Sequence, residues 1–333
     1  MSFVKSLVAG AATAILLACV APATASQKVV TVAYQLTISP WISRLADGTF
    51  EKETGYQINW RQFSTGAEII SAMASGAVDI SVLGSSPIAV AASAGVDVKT
   101  FWILEDIAHA EALFVRSDSG IESKEDLIGK KLAVPVASTS HYQLMFALRE
   151  WGIEDKVTVL NMNPDQAAAA WERKDIDGAF IWGAALQRIK KDGRPFITSG
   201  EICKMGRCTF EAMTTTSAFA KDNSEFLTKF TQIADRANED YKNNSEKWQS
   251  GTENVKLIVE LFGADESTVI EDLSQYRYPT RPEQATCQWL GCGAEGGVAK
   301  TLLLTAEFLK GQGRIDKVLT EYSHAVTDEY VSD

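Results

Sequence analysis

The stretch Ala77-Val78-Asp79-Ile80-Ser81-Val82-Leu83-Gly84-Ser85-Ser86-Pro87-Ile88-Ala89-Val90-Ala91-Ala92-Ser93 decides how the chain is read. Its first seven residues are a short, mainly apolar run closed by glycine, the pattern of a buried strand. The residues after it are small, apolar helix formers. Pro87 suits a first helical turn, where its missing N–H would have had no partner. This places the helix start near Pro87, with Ser85 and Ser86 at the cap. Hydroxyls and free backbone N–H groups then point the same way, at the positive end of the helix dipole. Such a turn holds an anion without lysine or arginine. The plainer alternative is that the serines only cap a buried, alanine-rich helix.

Outward from this stretch the chain alternates strand and helix. Lys28 to Tyr34 is a β-branched strand, Trp41, Ile42 and Leu45 share a helix face, and Tyr56 to Phe63 is a second strand. A helix from Ser64-Thr65-Gly66 stops at Gly76, and Val98 to Leu104 and Ala112 to Val115 are further strands. After Arg116 the pattern restarts, with a capped helix at Ser123, a strand from Lys131 to Val136, and a second hydroxyl-rich helix start, Ser138-Thr139-Ser140-His141. Val157 to Met162 is a strand, Pro164 opens an alanine-rich helix, and Asp175 to Trp182 becomes a strand that delivers Trp182 to its carboxyl end. Ligands of open α/β sheets sit beyond those ends. Thr209 to Thr215 is a last strand that crosses back to the first domain, and the remainder reads as mostly helical. Alternating elements imply an α/β chain. Two hydroxyl-rich helix starts, one in each half, imply an anion held between them.

The 333 residues carry a net charge of -11. An acidic chain of this kind is a poor ligand for nucleic acid or anionic lipid. Met1 to Lys5 is a short basic start, Ser6 to Ala18 an apolar run too short to span a bilayer, and Ala23-Thr24-Ala25 a cleavage signal. Residues 1–25 thus read as a secretory leader. A lipid anchor at Cys19 is the competing reading of Leu16-Leu17-Ala18-Cys19. Cys203 and Cys208, and Cys287 and Cys292, repeat one spacing. In an exported protein an even count points to disulfides, with three pairings open and the two local ones the simplest. A four-thiolate zinc site would want tighter C-x-x-C knuckles.

Catalytic signals are missing. The sequence has no G-x-S-x-G, P-loop or G-x-G-x-x-G, and its three histidines, His109, His141 and His324, have no metal-ligand spacing. Neither a cofactor nor a metal is expected. Glu111 and Glu211 stand out instead, because each is embedded in an apolar strand. Burying a carboxylate there is costly unless a cation or donors compensate it. An ordinary salt bridge is the alternative for each. Asp177 fits a structural cap before its strand. Trp182 fits either the core or a ring facing a ligand's ammonium group.

Val32-Ala33-Tyr34-Gln35, Leu83-Gly84-Ser85-Ser86-Pro87, Glu111-Ala112-Leu113, Ser138-Thr139-Ser140-His141-Tyr142 and Asp175 to Trp182 follow the order and spacing of the periplasmic taurine-binding proteins of ABC importers. The chain resembles that family from about Val29 to Tyr322. The resemblance implies the two-lobed type II periplasmic binding protein fold with a ligand cleft between the lobes. The chain would cross near Arg116 and near Thr214–Ser217, giving lobe I residues 26–116 and 217–333 and lobe II residues 117–216. It also implies that Ser85, Ser86, Thr139 and Ser140 surround a sulfonate, that Gln35, Glu111 and Trp182 line the site, and that Glu211 meets an amino group, while His141 reads as a cap-region side chain that borders the pocket. Two departures bear on the amine end. The family usually has Asp where this chain has Glu211, and Ala212-Met213-Thr214 is less bulky than its counterpart. The expected protein is a monomer that hands taurine to a membrane permease. Another sulfonate, a quaternary-ammonium solute, a sensing role, or an enzyme of the thiamine-pyrimidine kind sharing this fold are the alternatives.

Overall fold

The computed structural model describes residues 28–332, so the leader, its cleavage signal and Cys19 lie outside the described residues. Among the described residues, ten strands form two sheets. The first contains β1 (Val29–Tyr34), β2 (Gln57–Gln62), β3 (Ile80–Gly84), β4 (Lys99–Asp106) and β10 (Phe210–Thr215), in the order β2-β1-β3-β10-β4. The second contains β5 (Ala112–Arg116), β6 (Lys131–Val134), β7 (Thr158–Asn161), β8 (Gly178–Ile181) and β9 (Gly193–Thr198), in the order β7-β6-β8-β5-β9.

The two sheets follow one plan. In each, three strands run parallel and the fourth position is an antiparallel strand, β10 in the first and β5 in the second. Both intruding strands directly follow a change of sheet. The chain leaves the first sheet between Asp106 and Ala112 and returns between Thr198 and Phe210. These points lie earlier than the Arg116 and Thr214–Ser217 crossings expected. Both strands carry apolar runs, and only pairing with the far sheet reveals where each belongs. The crossing segments run side by side, with the Ile107 N–H donating to the Thr209 carbonyl at 3.3 Å.

One apolar core packs around the first sheet, including Trp41, Phe50, Trp102, Phe226 and Phe230. Two smaller cores cover the faces of the second sheet, one centred on Leu144 and Phe180, the other on Trp171 and Ile181. The halves touch at several places, two of them far from the crossings. Phe308 of the Gly297–Gly311 helix stacks edge-on to Tyr142 and Phe146, and Lys190 pairs with Glu271 at 2.7 Å.

Edge strand β9 and the Gly183–Lys190 helix were not anticipated. β9 holds Pro195, which sheets tolerate at edges, and few apolar residues. The cysteines pair locally, Cys203 with Cys208 and Cys287 with Cys292. Asp177 is structural, accepting the Lys131 N–H at 2.8 Å.

Candidate functional site

β3 is buried along its length and ends at Gly84, where the Ser85–Ser93 helix begins. The helix starts two residues before Pro87, so Ser85 and Ser86 occupy its first turn rather than its cap. Proline is equally harmless there, because the first four N–H groups of a helix lack intrahelical partners. Gly84 provides no capping side chain. Both serines are fully buried, and neither hydroxyl has a hydrogen-bond partner. The tip therefore offers donors and a positive dipole end with nothing of the protein's own to receive them.

The Thr139–Glu150 helix faces it. A Cβ built on Gly84 would stand 2.8 Å from the Thr139 methyl carbon, so only glycine lets the two starts approach this closely. This second tip is partly committed. Ser138 Oγ accepts the His141 N–H at 3.0 Å, and Thr139 Oγ1 donates to Glu111 Oε1 at 2.5 Å. Ser140 is buried with an unpartnered hydroxyl. His141 is buried with both ring nitrogens unpartnered; burial first, and the Arg314 charge second, push it down to about 4. It is neutral at physiological pH.

A small cavity of about 30 Å3 lies where the sheets meet. Of the residues singled out in the sequence, Gln35, Glu111, Thr139, Trp182 and Glu211 line it. Ser85, Ser86, Ser140 and His141 are buried just behind those walls and do not line it. Ser138, of the second hydroxyl-rich helix start, lines it too, and Thr37, Ile107 and Tyr276 line it unexpectedly. Trp182 precedes a third helix start, at Gly183, again without a capping side chain. Gly183 sits at φ +61° against the Leu36 carbonyl, a position suited to glycine alone.

The opposite wall is acidic. Glu211 of β10 pairs in register with Gly84 on one side and Glu105 on the other. It therefore stands beside the bare helix tip, and burial raises its carboxyl above the ordinary range. Glu111 is pushed up to about 7, mainly by burial and also by Glu211, against the opposing bond from Thr139. Among the described residues, neither acid has the ordinary salt bridge that was the plain alternative. Glu105 was missed because it closes an apolar strand; its meaning depends on a register partner far along the chain. One side of the site can donate to an anion, and the other can accept from a cation. Among the described residues, no cluster of His, Cys, Asp and Glu could hold a metal ion.

Two sheets joined by paired crossings, with a polar cavity where they meet, define a binding protein of the two-lobed periplasmic class. The chain belongs to the NMT1/THI5-like family, whose model matches residues 42–247. It is 39% identical to the taurine-binding periplasmic protein of Escherichia coli (strain K12) over 303 residues, 91% of this chain and 92% of that one. The solved alkanesulfonate-binding protein SsuA from Xanthomonas axonopodis pv. citri, bound to MOPS, superposes with a TM-score of 0.72 at 19% identity, covering 89% of this chain and 97% of that chain. The periplasmic aliphatic sulphonate binding protein SsuA from Escherichia coli gives 0.72 at 19%, covering 92% and 100%. At those identities the structures establish the fold. The chain is a binding protein rather than an enzyme. No helix among the described residues is long and apolar enough to cross a membrane.

Proposed function

We propose that this protein is the solute-binding component of an ABC importer. It captures taurine, 2-aminoethanesulfonate, in the periplasm as a monomer and delivers it to a membrane permease. A leader removed after Ala25 takes it there. The observation that carries the reading is a helix tip with buried, unpartnered hydroxyls whose preceding Gly84 stands in register with Glu211, Gly84 and Glu211 both lining the cavity. A sulfonate stays ionised at any physiological pH and accepts from helix N–H groups and hydroxyls. An ammonium group answers the need of the buried carboxylates. The similarity to a taurine-binding relative supports the same ligand.

Ser85, Ser86, Thr139 and Ser140 surround the sulfonate, with Gln35 and Trp182 walling the site and His141 supporting the second tip from behind. Glu211 and Glu111 meet the amine. The lobes are the parts of the chain built on the two sheets, hinged at the crossing segments 107–111 and 205–209. Ligand favours closure only through contacts it makes better in the closed form.

Titration calorimetry with taurine, isethionate (hydroxyl in place of the amine) and a betaine tests the assignment. Taurine binds most tightly of the three, and Glu211→Gln weakens it by about 2–5 kcal/mol. Equal affinity for taurine and isethionate would remove the acid wall from the reading. Tightest binding of the betaine would transfer the site to quaternary-ammonium solutes, with Trp182 as their ring partner.

A further inference from the structure

Glu105 is the penultimate residue of β4 and lies directly across from Glu211 in the antiparallel β10–β4 ladder. Register partners share one face of a sheet, which sets the two carboxyls side by side. Glu211 lines the cavity and Glu105 does not. Glu105 is 0% exposed, and neither of its oxygens has a hydrogen-bond partner. The groups facing it are Glu211 on β10, Ser39 on the loop after β1, and Tyr276 and Tyr278 on the segment beyond the Glu266–Ser274 helix. Ser39 is near, but its hydroxyl too lacks a partner of hydrogen-bonding geometry. Arg277, which follows Tyr276, turns to Asp106 at 3.2 Å. Nothing at this position balances a charge.

Two carboxyls side by side in a buried site do not both ionise. Here the asymmetry chooses which one stays neutral. Glu211 has the cavity, with Thr37 and the bare Ser85 tip beside it; Glu105 has no share of the cavity, only Glu211, Ser39 and two tyrosines around it. Burial and the Glu211 charge both drive Glu105 far above the carboxylate range, while the contact with Glu105 favours the charged form of Glu211.

We propose that Glu105 is a permanently neutral carboxylic acid that donates its proton to Glu211, so that the pair presents one negative charge to the ligand's cation. The role rests on the reading of the site as one for an ammonium-bearing sulfonate. Glu105 is a positioning residue. Its O–H fixes the orientation of the Glu211 carboxylate, and its neutrality matches one ammonium to one full charge instead of two.

Calorimetry with taurine on wild type, Glu105→Gln and Glu105→Leu tests the assignment, together with infrared spectra of the empty proteins. Glutamine keeps the shape and an N–H donor, so its affinity stays within about threefold of wild type. Leucine removes the donor and loses about tenfold or more. The carbonyl stretch of a protonated carboxyl group is present in wild type at about pH 8 and is diminished in Glu105→Gln. A tenfold loss in Glu105→Gln, or no neutral-acid band in wild type, overturns the proposal, and the second result needs no variant to fold. A wild type that ignores taurine but shows a band removed by Glu105→Gln would overturn the ligand and uphold the pair.

Discussion

At the Ser85 helix start, the cap is a bare glycine and both first-turn hydroxyls are free; at the Thr139 start, Ser138 already caps His141 and Thr139 already holds Glu111. Both follow a strand and both look alike in sequence. The difference is one of prior commitment. The first tip keeps its whole capacity for a ligand and bears the cost of burying unpartnered groups while empty. The second is partly satisfied internally, and its bond to Glu111 ties the donor side of the site to the acid side. Binding strength should therefore concentrate at the first tip, and sensitivity to pH at the second.

The sharpest way to break this contrast is to remove the free hydroxyls. Ser85→Ala with Ser86→Ala should cost about 3–5 kcal/mol of taurine affinity, since bonds to a charged group contribute about 1.5–3 kcal/mol each. The empty protein should become no less stable, because two orphaned buried hydroxyls disappear. Ser138→Ala should do the reverse, costing about 1 kcal/mol of stability as a lost cap and little affinity. Calorimetry and urea unfolding on both variants check this. Equal losses of affinity would erase the distinction between the tips.

The second tip can be tested through Glu111. Its carboxyl sits at about 7 against an ordinary 4.5, so the folded protein holds a proton that the unfolded chain releases between those values. The stability tied to that proton is present below about pH 4.5 and is lost as pH rises through about 7. The loss for the empty protein is at most about 3 kcal/mol. Glu111→Gln should flatten that part of the unfolding profile, and saturating taurine should reverse its sign by favouring the carboxylate. A wild-type profile identical to that of Glu111→Gln would show that Glu111 ionises normally.

How far the sequence reached follows from which interactions are local. Gly84-Ser85-Ser86-Pro87 was legible because strand end, glycine and helix start are adjacent, and the error of two residues in the start arises because proline is tolerated throughout a first turn. The paired glutamates were half legible. Glu211 interrupts an apolar run and draws notice; Glu105 ends one and looks like a boundary. Tyr276 reaches the cavity from a late segment that no local pattern connects to it. The commitment of Thr139 to Glu111 was likewise invisible, since it joins two elements brought together only by β5 entering the second sheet.

The smallest expected effect sharpens the comparison where the tips meet. Gly84 has φ -69°, so alanine meets no backbone strain there. On closure the added methyl would come within 2.8 Å of the Thr139 methyl carbon. Threonine is stiff at χ1, and its hydroxyl is held by Glu111, so that methyl cannot swing away. Gly84→Ala should then cost about 1–3 kcal/mol, the usual range for overpacking, and the cost should appear in binding rather than in unfolding. Thr139→Ser keeps the hydroxyl and deletes the obstructing carbon. Added to Gly84→Ala, it should restore most of the lost affinity, a coupling that calorimetry on the double-mutant cycle measures directly. Additive losses would mean that the two helix starts are not in contact when ligand is bound.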